Sequence, residues 1–281
     1  MGETIRLNKL IAQRGVTSRR DAEAWIAEGR VTVNGQVVSR LGTVVDETTD
    51  EVRIDGQRLP APPSPIYLLM YKPRGYLTGR DDPEGRDGVH KLLPEGLDRV
   101  EPVGRLDFDT EGALLLTNDG DLAHMLLHPS RGVPRRYLVK IYRAPSESEL
   151  KMITEGRVFL DDGPSPPARV RVVSSTGTGN TWVEITLTEG RNRIVRRLFA
   201  QLGHPVSKLR RESFATISIR GMERGQVRAL TGEEVARLRD LASGIVPKRA
   251  GQKKYKPGFA RPKPKPGRVR KQKPLVVPDE P

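Results

Sequence analysis

The chain has 281 residues, with 49 Lys and Arg against 35 Asp and Glu, a net charge of +14, four His and no cysteine. That length points to about two domains and buries a core without staples; the lack of thiols excludes disulfides, thiolate metal sites and a cysteine nucleophile, and His90, His124, His128 and His204 are too scattered for a zinc-ligand spacing. The positive balance points to a polyanionic partner, nucleic acid before an anionic membrane, and no apolar run approaches the ~18 residues of a membrane span.

The charge is uneven. Residues 247–281 hold 12 basic and two acidic residues, whereas residues 1–60 hold nine of each. The tail, with its Lys263-Pro264-Lys265-Pro266 run, predicts a disordered, partly polyproline-like arm that adds non-specific affinity for a polyanion. The N-terminus is charged and amphipathic, unlike the apolar core of a signal peptide. The starting class is a soluble, cytoplasmic protein that faces nucleic acid.

Residues 5–14 space Ile5, Leu10 and Ile11 as a helix. Ser18 caps a second helix, with Asp21 as a weak capping box, Ala22, Trp25 and Ile26 as its apolar face and Gly29 as its stop. Val31–Val38 reads as a hairpin turning at Asn34-Gly35. Arg6, Lys9, Arg14, Arg19 and Arg20 carry no acid between them, so this small module has a basic helical face suited to phosphates, or simply an ordinary solvated one. Its pattern, in Arg6-Leu7, Lys9-Leu10, Ser18-Arg19-Arg20, Ala22-Glu23, Gly29-Arg30-Val31 and Val33-Asn34-Gly35, resembles the S4 RNA-binding domain. Four prolines in residues 60–65 then mark a stiff linker. The expected organisation is a module at 1–60, a linker at 61–65, a larger domain at 66–246 and the tail at 247–281.

From Ile66 strands and helices alternate. Strands are expected at 67–71, 114–117, 136–142, 169–173, 181–188 and 214–219, with a Gly-rich turn at 177–180. Helices are expected at 121–127, from the Ser146/Glu149 capping box to about 155, at 192–202, and from the Thr231/Glu234 box to about 241. This order predicts an α+β fold with a mixed, largely antiparallel sheet. No P-loop and no G-x-G-x-x-G after a strand is present, so nucleotide-cofactor chemistry lacks support.

Gly104-Arg105-Leu106-Asp107-Phe108-Asp109-Thr110-Glu111-Gly112 places three carboxylates on a Gly-bracketed loop before a buried strand. By spacing alone it reads as a solvated acidic turn, a catalytic carboxylate or a divalent-metal loop; the further ligands of a calcium loop are missing. The segment resembles the catalytic motif of the RsuA/RluB-type family of pseudouridine synthases. Further motifs follow in order: Lys72-Pro73-Arg74-Gly75-Tyr76, Arg135-Arg136-Tyr137-Leu138-Val139, Glu189-Gly190-Arg191-Asn192-Arg193-Ile194-Val195-Arg196-Arg197 and Val206-Ser207-Lys208-Leu209-Arg210-Arg211. With the S4 module the resemblance spans about residues 5–245. Ala113 and Ile194-Val195 depart from the commoner Leu and Gln-Ile, at no charged catalytic position.

The resemblance implies isomerisation of a uridine in RNA to pseudouridine, without redox change, cofactor or metal. It assigns Asp107 as nucleophile or base. Arg196 is its ion-pair partner, since a carboxylate in a pocket calls for a cation and Arg supplies a permanent, forked one. Tyr137 stacks on the base and takes part in proton transfer; without the resemblance it reads as a packed strand residue. The target base must leave its stack to be reached. Arg6, Lys9, Arg19, Arg20, Arg105, Arg135, Arg136, Arg191, Arg193 and Arg211 are the expected RNA contacts. The expected substrate is ribosomal RNA, 23S of the large subunit, free or in an assembling particle, acted on by a cytoplasmic monomer that touches no membrane. The rival readings are a 16S small-subunit synthase, a catalytically silent S4-type ribosome-assembly protein and a metal-dependent nuclease.

Overall fold

A computed structural model describes residues 4–79, 82–97, 99–175 and 179–245; the basic tail and residues 177 and 178 of the expected turn lie outside the described residues. The chain divides into two units, residues 1–66 with 118–120, and residues 67–117 with 121–281.

In the first unit the Asn34-Gly35 pair dictates a tight hairpin. Both residues take positive φ (52° and 80°), as a two-residue turn between twisted strands requires. It joins β2 (Val31–Val33) to β3 (Gln36–Val37). The Ser18 side chain accepts from the Asp21 N–H at the start of α2 (Arg19–Ala27). The Asp21 carboxylate in turn accepts from the Ser18 hydroxyl at 2.7 Å, so the box closes from one side only. Gly29, at φ 72°, ends that helix. Ile5 is not helical, against expectation. Thr4–Arg6 is a strand, β1, paired with β4 (Val44–Asp46), and α1 runs only from Leu7 to Gln13. Backbone pairing to a later segment outweighs the local periodicity there. Strands β5 (Val52–Ile54) and β6 (Gln57–Arg58) complete a four-stranded sheet with β2 and β3. Leu7, Leu10, Ile11, Ala22, Ile26, Val31, Val45, Val52 and Ile54 are buried together as its core.

Among the described residues, the second unit is built on a nine-stranded sheet. The strands on its main path are β7 (Tyr67–Lys72), β9 (Glu111–Thr117), β10 (Arg135–Tyr142), β13 (Arg169–Ser175), β14 (Asn180–Leu187), β15 (Val206–Phe214) and β17 (Val227–Ala229). They lie in the order β13-β14-β10-β15-β9-β7-β17. The short β8 (Glu101–Pro102) pairs with β9, and β16 (Ile217–Ser218) with β15. Within this sheet, among the described residues, β15 and β9 run parallel and the other strand pairs are antiparallel. The fold is α+β with a mixed sheet. Its helices are α3 (Gly120–Leu127), α4 (Glu147–Glu155), α5 (Ile194–Gln201) and α6 (Gly232–Ala242), and complete capping boxes at Ser146/Glu149 and Thr231/Glu234 start α4 and α6. The strands β11 (Phe159–Leu160) and β12 (Gly163–Pro164) form a separate hairpin. One core packs Leu69, Tyr71, Ala113 and Leu115 with Leu122, Leu126, Phe214 and Leu238.

Three expectations are corrected. The strand expected at 214–219 is the end of the nine-residue β15, after which Ala215, at φ 53°, turns the chain into β16. The strand expected from Leu114 begins at Glu111, which takes Glu111 out of the carboxylate loop. Helix α5 starts at Ile194 rather than Asn192, because Arg193 adopts a left-handed conformation at φ 46°. None of the helices among the described residues is long and apolar enough to cross a membrane.

Candidate active site

The parallel pairing of β9 with β15 sets Gly112 opposite Arg211. A Cβ at Gly112 would stand 2.2 Å from the Arg211 carbonyl oxygen, and φ there is 125°, so only glycine allows the two strands this close. The loop entering β9 therefore lies beside β15, and hydrogen bonds from three residues fasten it. The Thr78 hydroxyl donates to the Leu106 carbonyl at 2.7 Å and accepts from the Leu106 N–H at 3.1 Å. The Gly75 N–H donates to the Phe108 carbonyl at 2.9 Å. Lys72, wholly buried at the end of β7, donates to the carbonyls of Pro73 (3.0 Å), Asp107 (3.2 Å) and Thr110 (3.0 Å). Burial pushes the Lys72 ammonium down from 10.5 to about 8, against the opposing pull of Asp107 and Asp109.

The loop presents Asp107 to a cavity of about 120 Å³ whose walls include Arg105, Leu106, Arg135, Tyr137, Arg193, Leu209, Arg211 and Phe214. Alternation along β10 puts Arg135 and Tyr137 on one face, and the sheet register sets Tyr137 directly across from Arg211. Asp107 and Tyr137 thus share one cavity. Arg196 reaches the loop from α5, but its short contact is to the Asp109 carboxylate at 2.7 Å; Asp107 is 4.0 Å away. The expected Arg196–Asp107 pair is present only as the longest contact, at 4.0 Å, of a four-membered cluster. In it Arg193 is the nearer cation to Asp107, at 3.6 Å, and also lies 3.8 Å from Asp109. Burial lowers the Arg196 pKa, partly offset by Asp109. Arg193 reaches back to the loop from a left-handed backbone that a non-glycine residue rarely adopts, a strain of the kind kept at functional sites.

The other expected RNA contacts lie in different settings. Arg6, Arg19 and Arg20 are exposed on the first unit, with Lys9 half-buried beside them. Arg105 is exposed at the cavity wall. Arg135 and Arg211 are not surface cations: they are 6% and 2% exposed and form the cavity floor. Arg191 is tied down by Glu189, by Asp162 at 3.1 Å and by the Pro164 carbonyl at 2.6 Å. The neighbouring Arg197 is held by Asp161 and Asp162. The β11–β12 hairpin therefore neutralises part of the basic motif, while Arg191 also lines the cavity. Arg136 is half-buried on the opposite face of β10.

Each of the three carboxylates has a guanidinium partner: Asp107 and Asp109 on the loop face Arg193 and Arg196, and Glu111 at the start of β9 is held by Arg224 at 2.7 and 3.2 Å. This is the surrounding of an anion used as an anion, and it does not suit a divalent-metal loop. Lys72 and Asp109 are the members that sequence reasoning missed. The signal for Lys72 was present, as a lysine closing an apolar strand before Pro73.

A carboxylate loop facing a strand tyrosine, on a mixed sheet preceded by a helix–helix–hairpin module, has a close match among known proteins. Residues 66–201 match the family described as RNA pseudouridylate synthase, and residues 5–52 match the S4 domain. The chain belongs to that family: it is an RNA pseudouridine synthase with an S4 domain. Among its relatives, ribosomal large subunit pseudouridine synthase B of Bacillus subtilis (strain 168) is 42% identical over 238 residues, covering 84% of this chain and 96% of that one. An uncharacterized RNA pseudouridine synthase of Mycobacterium tuberculosis (strain H37Rv) is 44% identical over 237 residues, 83% of this chain and 92% of that one. A solved structure described as a pseudouridylate synthase superposes with a TM-score of 0.61 at 29% identity, covering 83% of this chain and 99% of that chain.

Proposed function

We propose that this protein converts one uridine of large-subunit ribosomal RNA to pseudouridine, as a cytoplasmic monomer that needs neither cofactor nor metal. The observation that carries this reading is Asp107 in a cavity it shares with Tyr137, its carboxylate 3.6 Å from Arg193. The names of the Bacillus subtilis and Yersinia pestis relatives, both ribosomal large subunit pseudouridine synthase B, favour that substrate over the small subunit. Residues 66–246 carry the chemistry. The exposed Arg6, Arg19 and Arg20 of the S4 module, with Lys9, hold phosphates.

The target uridine leaves its stack and enters the cavity. Asp107 acts at the sugar, either as nucleophile at C1′ or as base at C2′, and the C1′–N1 bond breaks with its electron pair going to the base. The base turns and C5 bonds to C1′ as Asp107 leaves C1′ or returns the proton to C2′; the C5 proton then leaves and N1 gains a proton, so the product is an isomer. Tyr137 stacks on the base, and its hydroxyl serves the proton transfer at C5. Arg193 and Arg196 hold the carboxylates that would otherwise repel the approaching phosphates.

Purified protein and transcripts of large- or small-subunit ribosomal RNA labelled with tritium at uridine C5 test this directly, because each turnover releases that label to water. Release from the large-subunit transcript alone is expected. Release from the small-subunit transcript alone would move the protein to the other branch. Binding without release from either would leave the silent assembly-protein reading.

A further inference from the structure

Two arginines are buried in the cavity floor without a carboxylate. Arg135 is 6% exposed and Arg211 2%. Among the described residues neither has an acidic side chain within 4 Å. Arg135 donates through Nη1 to the carbonyls of Thr188 (3.2 Å) and Val133 (3.4 Å), and Arg211 through Nε to the Ala113 carbonyl (2.7 Å). Their guanidinium carbons stand 5.3 and 5.2 Å from the Phe214 ring centroid, one aromatic surface supporting both. Arg211 Nη2 is buried with no hydrogen-bond partner. Burying one cation without an anion is costly, and burying two side by side costs more because they repel. Buried donors without partners are rare in native proteins and call for a reason.

The cavity wall supplies the reason. Arg135 and Arg211 line the same cavity as Asp107 and Tyr137, and the register places Arg211 directly across from Tyr137. We infer that Arg135 and Arg211 are catalytic residues that donate to the uracil carbonyl oxygens and stabilise the negative charge the base acquires when the C1′–N1 bond breaks. This inference rests on the pseudouridine synthase reading and adds what stabilises the leaving base. When that bond breaks heterolytically, its electron pair passes to N1 and spreads onto O2 and O4. No proton or co-reactant is needed at that instant, and the charge is discharged when C5 attacks C1′ and N1 takes a proton. Two fixed, buried cations stabilise such a charge well, since their orientation is already set by the backbone carbonyls and by Phe214. Arg suits the task because it keeps its proton on burial, whereas Lys readily loses it.

The test uses full-length protein with Arg211→Gln and, separately, Arg135→Gln. Because Arg211 holds the Ala113 carbonyl, each variant is first melted to show cooperative unfolding, and Arg135→Gln serves if Arg211→Gln fails to fold. Large-subunit ribosomal RNA transcripts are made with uridine or with 5-fluorouridine, whose base departs more easily because fluorine withdraws electrons. Single-turnover appearance of the rearranged nucleoside is followed by liquid chromatography and mass spectrometry. With uridine, each variant should slow the reaction roughly 100-fold at saturating protein, with RNA affinity little changed. With 5-fluorouridine the loss should be distinctly smaller, because the base needs less help to leave. Equal losses on the two transcripts, or an effect confined to affinity, would overturn the role of the arginines while leaving the pseudouridine synthase reading intact. No turnover by the wild-type protein on either transcript would overturn both.

Discussion

Replacing Lys72 by Met should separate stability from turnover along the pH axis. Lys72 is wholly buried and holds the carbonyls of Pro73, Asp107 and Thr110. Its pKa falls from 10.5 unfolded to about 8 folded, chiefly through burial. The folded protein therefore binds fewer protons than the unfolded chain between these two values, and stability rises with pH across that window. The cost of the buried charge is present in full below about 8 and relieved towards 10.5. At 1.36 kcal/mol per pKa unit, the wild type should gain about 2 kcal/mol over Lys72→Met between about pH 7 and about pH 9.5. Turnover should move the other way, because the neutral amine has two N–H groups for three carbonyls and the Asp107 loop loses a clasp. Urea unfolding and single-turnover kinetics at matched pH values measure both. A constant stability difference across the window, or a wild-type rate that does not fall through about pH 8 relative to the variant, would refute this account of the loop.

The other predictions concern the residues around it. Gly112→Ala puts a methyl 2.2 Å from the Arg211 carbonyl at φ 125° and should cost about 3 kcal/mol or more in urea unfolding; a cost below about 1 kcal/mol would mean that β9 and β15 are not held this close. Tyr137→Phe keeps the ring and should retain RNA binding while slowing single-turnover chemistry by roughly 10²-fold or more; an unchanged rate would leave Tyr137 a stacking residue only. Arg196→Lys removes the fork that grips Asp109 at 2.7 Å and should lower turnover about 10-fold or more, on the scale of one charged hydrogen bond. Wild-type turnover in that variant would assign the loop's positive partner to Arg193 alone.

Much of this was legible in the sequence, and what was not has physical reasons. The Asn34-Gly35 turn and the two capping boxes are local devices, so local residues announce them. The Asp107 loop and Tyr137 were found through resemblance, since a solvated acidic turn has the same spacing. Strand β15 was hidden because its exposed start and basic composition mask the buried Leu209, Arg211 and Phe214. Arginine is so seldom buried that a sequence reading named Arg135 and Arg211 only as RNA contacts, with no sign of their burial. The partners of Arg191 and Arg197 could not be read locally either: Asp162 lies 29 residues from Arg191 in sequence, on a hairpin that only the fold brings near. Arg196 was matched to Asp107 when its short contact is to Asp109, two positions on along the same loop.

The central claim is that the Asp107 carboxylate performs a single isomerisation on large-subunit ribosomal RNA. A pseudouridine map of ribosomal RNA from a strain lacking this protein, complemented with the wild type or with Asp107→Asn, measures it most directly. The map should lose one large-subunit pseudouridine, regained with the wild type and absent with the variant. Restoration by Asp107→Asn, or a map unchanged by the deletion, would contradict the account.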